Sequence, residues 1–464
     1  MSGFSSLNTA TTALRAQQRA VDVTGQNVAN VNTDGYTRQR AELQSIGANA
    51  VPAIYAVSNS VGNGVTADQV TRIRDAFLEG RAQLEHATTA RLTVESDALS
   101  QIEDAFREPS STGIQSMMSD MWSGFDAVAN APDNLAARSQ LLERASTLAS
   151  GVRTTAATLN QQWNSTSESL KALVADVNAA AGSIAKLNTA IRTATQAGLP
   201  VNELSDQRDK LVLSLSDKIG ATSTTGDFGT VTVVVGGTTL VSGSSVLALR
   251  VAGSTSAATA TTDPPRIVTS PGNSTLRVDG TAAGQLTALG ASIPTYLGKL
   301  DDFAISLATA VNTQHVSGTD LDGATGGALF GSTDGAPLTA ATLGVLITDG
   351  RKVAAASTVT ASLDNSNADA LSQVGTASGL DASYRQVITA LGVESSVSSR
   401  NVGIQAVITS QVDNDRESVS GVSLDEEMTN MLAFQHGYQA AARMVTTIDE
   451  MLDVLINKTG LVGR

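Results

Sequence analysis

From Phe4 to Val28, the positions Phe4, Leu7, Thr11, Leu14, Gln18, Val21, Gly25 and Val28 recur in alternating steps of three and four. That spacing keeps one stripe on one side of a helix. Thr11, Gln18 and Gly25 dilute the stripe, so its packing partner must accept small and polar contacts. The chain then turns through Asn30-Val31-Asn32-Thr33-Asp34-Gly35-Tyr36, where short polar side chains bond local backbone and glycine supplies unusual φ. At the other end, Ser423 and Glu426 match a capping box. An apolar stripe follows through Phe434, Tyr438, Ala441, Val445, Ile448, Leu452 and Leu455, closed by Gly460. Both ends are predicted to be amphipathic helices that can pair with each other.

Between the ends, a long helical pattern starts near Val70, with Ile73, Phe77, Leu84, Leu99, Ile102 and Phe106 at helical spacing, and stops at Pro109. Helices are predicted over 115–129 and 134–154. Leu170, Leu173, Val177, Ala180, Ile184, Leu187, Ile191 and Ala194 then form a wholly apolar, coiled-coil-like seam that Gly198 and Pro200 end. A shorter helix is expected over 202–219. From Ala221 to Val278 the texture turns to Thr, Ser, Gly and Val. Val231 to Val235, Gly236-Gly237 and Thr238 to Val241 predict a hairpin, because paired glycines accept the positive φ of a two-residue turn. Val246 to Val251, Arg266 to Val268 and Leu276 to Val278 are further strand candidates. Helical spacing returns over 285–311. A glycine-rich loop covers 318–335, mixed signals run to Ser362, and a last helix over 382–418 is interrupted at Gly392. The predicted fold class is mainly α with a small all-β insert.

Composition narrows the function classes. The 464 residues suffice for two to four domains. Aromatics are only 3%, so cores must be built from Ala, Val, Leu and Ile, which suits long, closely packed helices. A net charge of -14 repels phosphate backbones and anionic lipid, so neither nucleic acid nor membrane is an expected partner. Cysteine is absent, which removes disulfides, thiolate metal sites and cysteine nucleophiles. The first twenty residues lack the basic start and apolar core of a Sec-type signal peptide.

Candidate chemistry is sparse. The three histidines, His86, His315 and His436, form no His-Glu-x-x-His motif; His86 and His436 are expected at a surface or an interface. Asp320, Asp322 and Gly323 resemble a fragment of a calcium loop without its full ligand series. Asp425-Glu426-Glu427 sits where a helix dipole favours carboxylates. No catalytic residue, metal site or cofactor is expected.

The run Gln26-Asn27-Val28-Ala29-Asn30-Val31-Asn32-Thr33-Asp34-Gly35-Tyr36-Thr37-Arg38-Gln39 resembles the N-terminal signature of flagellar rod, hook and hook-associated proteins. Its Tyr36-Thr37-Arg38-Gln39 ending is more similar to the hook-associated members than to hook or rod subunits. Ser420 to Met428, continuing through Phe434-Gln435 and Tyr438 to Arg443, resembles the C-terminal signature of the same family. Asn202 to Leu211 is a weaker likeness to hook-associated proteins.

The resemblance implies a discontinuous architecture. Residues 1–66 and 421–464 would form an inner terminal helical domain, 67–219 and 284–420 a middle helical domain, and 220–283 an outer β insert. It implies a structural subunit joining hook to filament and needed for filament assembly, on the extracellular flagellum, exported by a type III channel without a cleaved signal. The partners it implies are further copies of the chain in a ring, the hook protein below, a second junction protein (hook-associated protein 3) above, and an export chaperone at the C-terminal helix. Assembly is expected to rest on Phe4, Leu7, Leu14, Val21, Val28, Asn30, Asn32, Thr33, Gly35 and Tyr36 at one end. At the other end it is expected to rest on Leu424, Met428, Met431, Phe434, Tyr438, Val445, Ile448, Leu452 and Leu455. The alternatives are a hook or other axial subunit, or a flagellin-like or adhesive secreted surface protein.

Overall fold

The computed structural model describes residues 3–47, 62–358 and 363–458. It opens with α1 (Gly3–Ala29), followed by an antiparallel hairpin of β1 (Gln39–Ser45) and β2 (Val65–Arg72). The helices α2 (Ala76–Phe106), α3 (Ile114–Asn130), α4 (Leu135–Gln196) and α5 (Asn202–Ile219) come next. The insert holds β3 (Thr222–Thr225), β4 (Val231–Val235), β5 (Thr238–Ser242) and β6 (Ser245–Val246) in one antiparallel sheet. Beside it, β7 (Ala248–Ala252) pairs with β8 (Arg266–Ser270). The chain returns through α6 (Gly280–Thr287), a π turn at Ala288–Ser292 and α7 (Ile293–Val316). A loop-rich stretch carries β9 (Phe330–Ser332), β10 (Leu343–Val345), α8 (Ser366–Ser372) and α9 (Val374–Ala377). Two long helices finish it, α10 (Leu380–Ser420) and α11 (Leu424–Asp453).

The spine is α4, a single helix of 62 residues, about 90 Å long at the usual rise. The sequence predicts two helical segments here; the polar stretch after Thr154 hides that Leu159 and Trp163 keep the apolar face unbroken. Asn134 caps its start, accepting from the amides of Ala136 and Ala137. Trp163 donates its indole N–H to the carbonyl of Leu289 at 2.9 Å, inside the π turn, where the wider helical geometry alters the backbone ladder. Two asparagines on α4 hold the insert. Asn188, fully buried, donates to the carbonyls of Val231 and Gly243 and accepts from the amide of Val231. Asn178 exchanges both bonds with the backbone of Leu249.

One apolar cluster runs through this body from Ala98 to Leu391. It joins α2, α3, α4, α5, α7 and the insert; no described side chain of α1 or α11 belongs to it.

Other elements depart from the sequence expectation. Val70 and Ile73 precede the helix, in β2 and the link after it, and α2 starts at Ala76 where Asp75 caps it. Phe77 and Leu84 face outward rather than into a core. Gly392 does not interrupt α10. Leu276 to Val278 forms no strand, and β1 and β2 arise in segments whose apolar alternation, Ala41 with Leu43 and Val65 with Ala67, is too short to announce them. The Gly460 stop lies outside the described residues.

Candidate functional site: the terminal arm and its root

The two ends of the chain lie side by side as an antiparallel pair, with Gln17 against Gly437 and Asn27 against Glu427. A glycine inside a helix costs about 1 kcal/mol relative to alanine. At Gly437 the helices approach closely: a Cβ there would stand 2.9 Å from the end of the Gln17 side chain, which would have to shift aside.

The pair is unevenly closed. On α1 the buried side chains are Ala10, Ala16, Ala20, Thr24 and Asn27. The apolar stripe read from sequence, Leu7, Leu14, Val21 and Val28, lies roughly a quarter turn away and is half-buried. The side chain of Phe4 lies outside the described residues. On α11 only Glu427 and Ala441 are buried. Met431, Phe434, Val445, Ile448 and Leu452 are half-covered by α1 and its surroundings, whereas Leu424, Met428, Tyr438 and Leu455 are exposed. Leu432 and Met451, which the sequence reading passed over, are 55% and 59% exposed.

Where the arm meets the body, the polar loop becomes a lattice of bonds. Asn27 donates to the carbonyl of Gln39 at 2.8 Å and to Glu427 Oε2 at 2.9 Å. Its oxygen accepts from the Tyr36 hydroxyl at 2.9 Å and from the Gln39 amide at 3.0 Å. Arg38 pairs with Glu427 at 2.7 Å and with Glu426 at 2.8 Å, and its amide donates to the carbonyl of Ser420. The three carboxylates at the start of α11 therefore do more than answer the helix dipole: two of them hold the N-terminal loop. Ser423 caps α11, accepting from the Glu426 amide at 3.5 Å, while the Glu426 carboxylate is turned to Arg38.

The other side of the loop is anchored in α5. The amide of Thr37 donates to Asp206, which pairs with Arg72 at 2.8 Å; Arg72 also reaches Asp209 at 2.8 Å. Arg74 joins Asp209 to Glu79. Burial pushes the Asp209 carboxyl up, but Arg74, Arg208 and Arg72 outweigh it and hold it below the usual range. Tyr36 is pushed up to about 12, first by burial and then by Asp206 and Glu427, so its hydroxyl stays protonated and donating. The sequence-predicted Asn30, Asn32, Thr33 and Gly35 form the loop's outer bend: Thr33 bonds Asn30, and Gly35 takes φ +82. Asn32, Thr33 and Gly35 are exposed.

Sequence reasoning missed Asn27, Arg38, Asp206, Asp209 and Glu427 as a connected set. All lie in the family-like segments, but nothing in spacing shows that positions 400 residues apart meet. Elsewhere, Asp320 accepts from the amides of Asp322 and Ala324 and pairs with Lys352, and Asp322 pairs with Arg351. Those carboxylates are taken up by protein partners, and no cluster of metal-ligating side chains forms among the described residues. No helix there is long and apolar enough to cross a membrane.

A helical body that carries α1 and α11 together as an arm outside its own core, with no cluster of metal-ligating side chains among the described residues, has the form of a structural subunit. Residues 99–330 match the helical domain of flagellar hook-associated protein FlgK. Residues 7–37 match the flagella basal body rod protein family and 416–458 the C-terminal family of flagellar basal body rod FlgEFG proteins. The chain is 32% identical to flagellar hook-associated protein 1 of Bacillus subtilis over the full length of both. It is 26% identical to the Escherichia coli protein of the same name, over 97% of this chain and 99% of the other. The flagellar hook junction protein FlgK of Burkholderia pseudomallei has a similar fold, with a TM-score of 0.63 at 18% identity, covering 75% of this chain and 100% of that one. The chain belongs to the flagellar hook-associated protein 1 (FlgK) family. It is a structural protein of the hook–filament junction, located on the flagellum and self-assembling with hook and other axial proteins.

Proposed function

We propose that the arm formed by α1 and α11 is an unfinished interface that neighbouring copies of the chain complete in a ring between hook and filament. The observation that carries this is the coverage of α11. A helix of 30 residues buries two side chains in the single chain and leaves Met428, Leu432 and Met451 at 55–60% exposure. Each such side chain is worth about 1.5–3 kcal/mol when fully buried, so an isolated arm leaves much of its stabilisation unrealised. The positions named from sequence on α11 divide accordingly. On α11 the half-buried Met431, Phe434, Val445, Ile448 and Leu452 line the seam with α1, and the exposed Leu424, Met428 and Tyr438 await a neighbour.

In this reading residues 1–66 and 421–464 form the inner layer, 67–219 and 284–420 the middle layer and 220–283 the outer insert. The hook protein lies below and hook-associated protein 3 above. The same exposed face of α11 receives an export chaperone before assembly, as a helix in a groove or bundle, and the subunit leaves without a cleaved signal. Its role is wholly structural, with no catalysis.

A strain carrying Glu at Met428, Leu432 and Met451 tests the assignment. The expected result is hooks without filaments, with the subunit released into the medium or retained in the cell. Normal filaments on that strain would overturn the reading. Absent hooks in a deletion strain would instead assign the chain to the hook itself.

A further inference from the structure

His86 is not a surface residue: it is half-buried where α2, α5 and α10 meet. Its Nδ1 is 3.1 Å from Asp217 on α5, and its Nε2 is 3.0 Å from Asp413 on α10. A carboxylate only accepts, so both contacts are hydrogen bonds only when both ring nitrogens carry hydrogen, which is the imidazolium. A neutral ring satisfies one carboxylate and turns a lone pair toward the other.

The helix held in this way has little else. After Leu391, α10 buries only Gln405, Thr409 and Val412. Two of those three are polar and are bonded to Glu85 and Thr89 of α2. A permanent helix seam is normally apolar; this one is held by hydrogen bonds and charge. It also leads through Gly421 directly into α11 and the root of the arm.

We propose that His86 is a proton-operated latch: as imidazolium it ties the second half of α10 to α2 and α5, and on losing its proton it releases that half-helix and the arm's root with it. This extends the arm reading but stands on contacts within the body, so the two can fail separately. The other charged groups nearby are already engaged with partners of opposite charge or with polar side chains. On α10, Arg416 lies 3.8 Å from Asp413 and 3.9 Å from Glu79 of α2. On α2, Glu85 bonds Gln405, and Arg91 pairs with Asp279 beside α6. On α5, Lys218 pairs with Asp176 of α4. His86 is the group in this seam whose ordinary titration lies near neutral pH.

The hydrogen bond to Asp217, opposed by burial and joined by the bond to Asp413, raises the His86 pKa above its ordinary value. The latch is therefore closed at and below the ordinary histidine range and opens as pH rises through the raised value. Linkage fixes the size: the loss of protection on full deprotonation equals the factor by which closure lowers the acid dissociation constant of His86.

The test uses the full chain. Amide exchange, normalised for intrinsic rate, is followed over residues 405–420 and over 141–177 of α4 while imidazole resonances report each histidine. Protection of 405–420 is expected to fall as His86 titrates, with 141–177 unchanged. His86→Gln is expected to abolish that dependence, and Asp413→Asn to move its midpoint to lower pH. Constant protection through the titration, or the same pH dependence in His86→Gln, overturns the proposal. If His86→Gln does not fold, an unmoved midpoint in Asp413→Asn overturns it alone.

Discussion

Asn27 uses both amide hydrogens and its side-chain oxygen on Gln39, Tyr36 and Glu427, so the loop after α1 and the start of α11 share one side chain. Asn27→Asp is nearly isosteric yet sets a carboxylate where Glu427 is received at 2.9 Å. With Glu427 buried, the expected cost is about 3 kcal/mol or more, read as lost exchange protection at residues 37–40 and 424–430. Asn32→Asp on the exposed bend should leave both segments unchanged. His315 supplies a pH prediction of opposite sign to that for His86. It is fully buried, its Nδ1 donating to Gly327 and its Nε2 accepting from the Ala354 amide, which requires the neutral ring. Burial is the main cause that lowers its pKa from 6.5. Below about 6.5 the unfolded chain takes up the proton more readily than the folded one. The stability contributed by His315 is thus present above that pH and is lost as pH falls. Denaturant midpoints measured between pH 7.5 and 5 should fall less steeply in His315→Gln than in the parent chain.

At the scale of elements, α4 organises the body and its asparagines hold the β insert. Asn188→Ala removes three hydrogen bonds, two to buried backbone of β4 and one to the partly buried β5–β6 turn. At about 1–3 kcal/mol for each group left unsatisfied, exchange over 231–246 should accelerate while α3 and the first half of α4 stay protected. Equal acceleration in both regions would mean that the insert is not a separately anchored unit. The β4–β5 hairpin was legible in the sequence because Gly236-Gly237 sits between Val-rich segments, and both glycines take positive φ. The β1–β2 hairpin was not, because the alternation in Gln39–Ser45 is only Ala41 and Leu43, too short to stand out, and neither is buried. The packed face of α1 was hidden for a related reason. Hydrophobicity points to Leu7, Leu14, Val21 and Val28, whereas close helix approach selects Ala10, Ala16, Ala20 and Thr24. The capping serine of α11 was plain from spacing; its pairing with Arg38 depends on tertiary placement that no local pattern carries.

Across the whole molecule, the apolar cluster ends at Leu391, and beyond it lie the last half of α10 and the arm, joined to the body chiefly through polar contacts and ion pairs. Such a division suits a subunit whose body is complete alone and whose arm is completed by copies around it. Short helices and helix pairs with one uncovered face are marginal in water, so the arm is expected to be the least protected part of the free chain. The most direct test is amide exchange over residues 424–453, measured in the isolated chain and again in the assembled junction. Completion by neighbours predicts fast exchange in the isolated chain and strong protection after assembly. Strong protection of this helix in the isolated chain, unchanged on assembly, would contradict it.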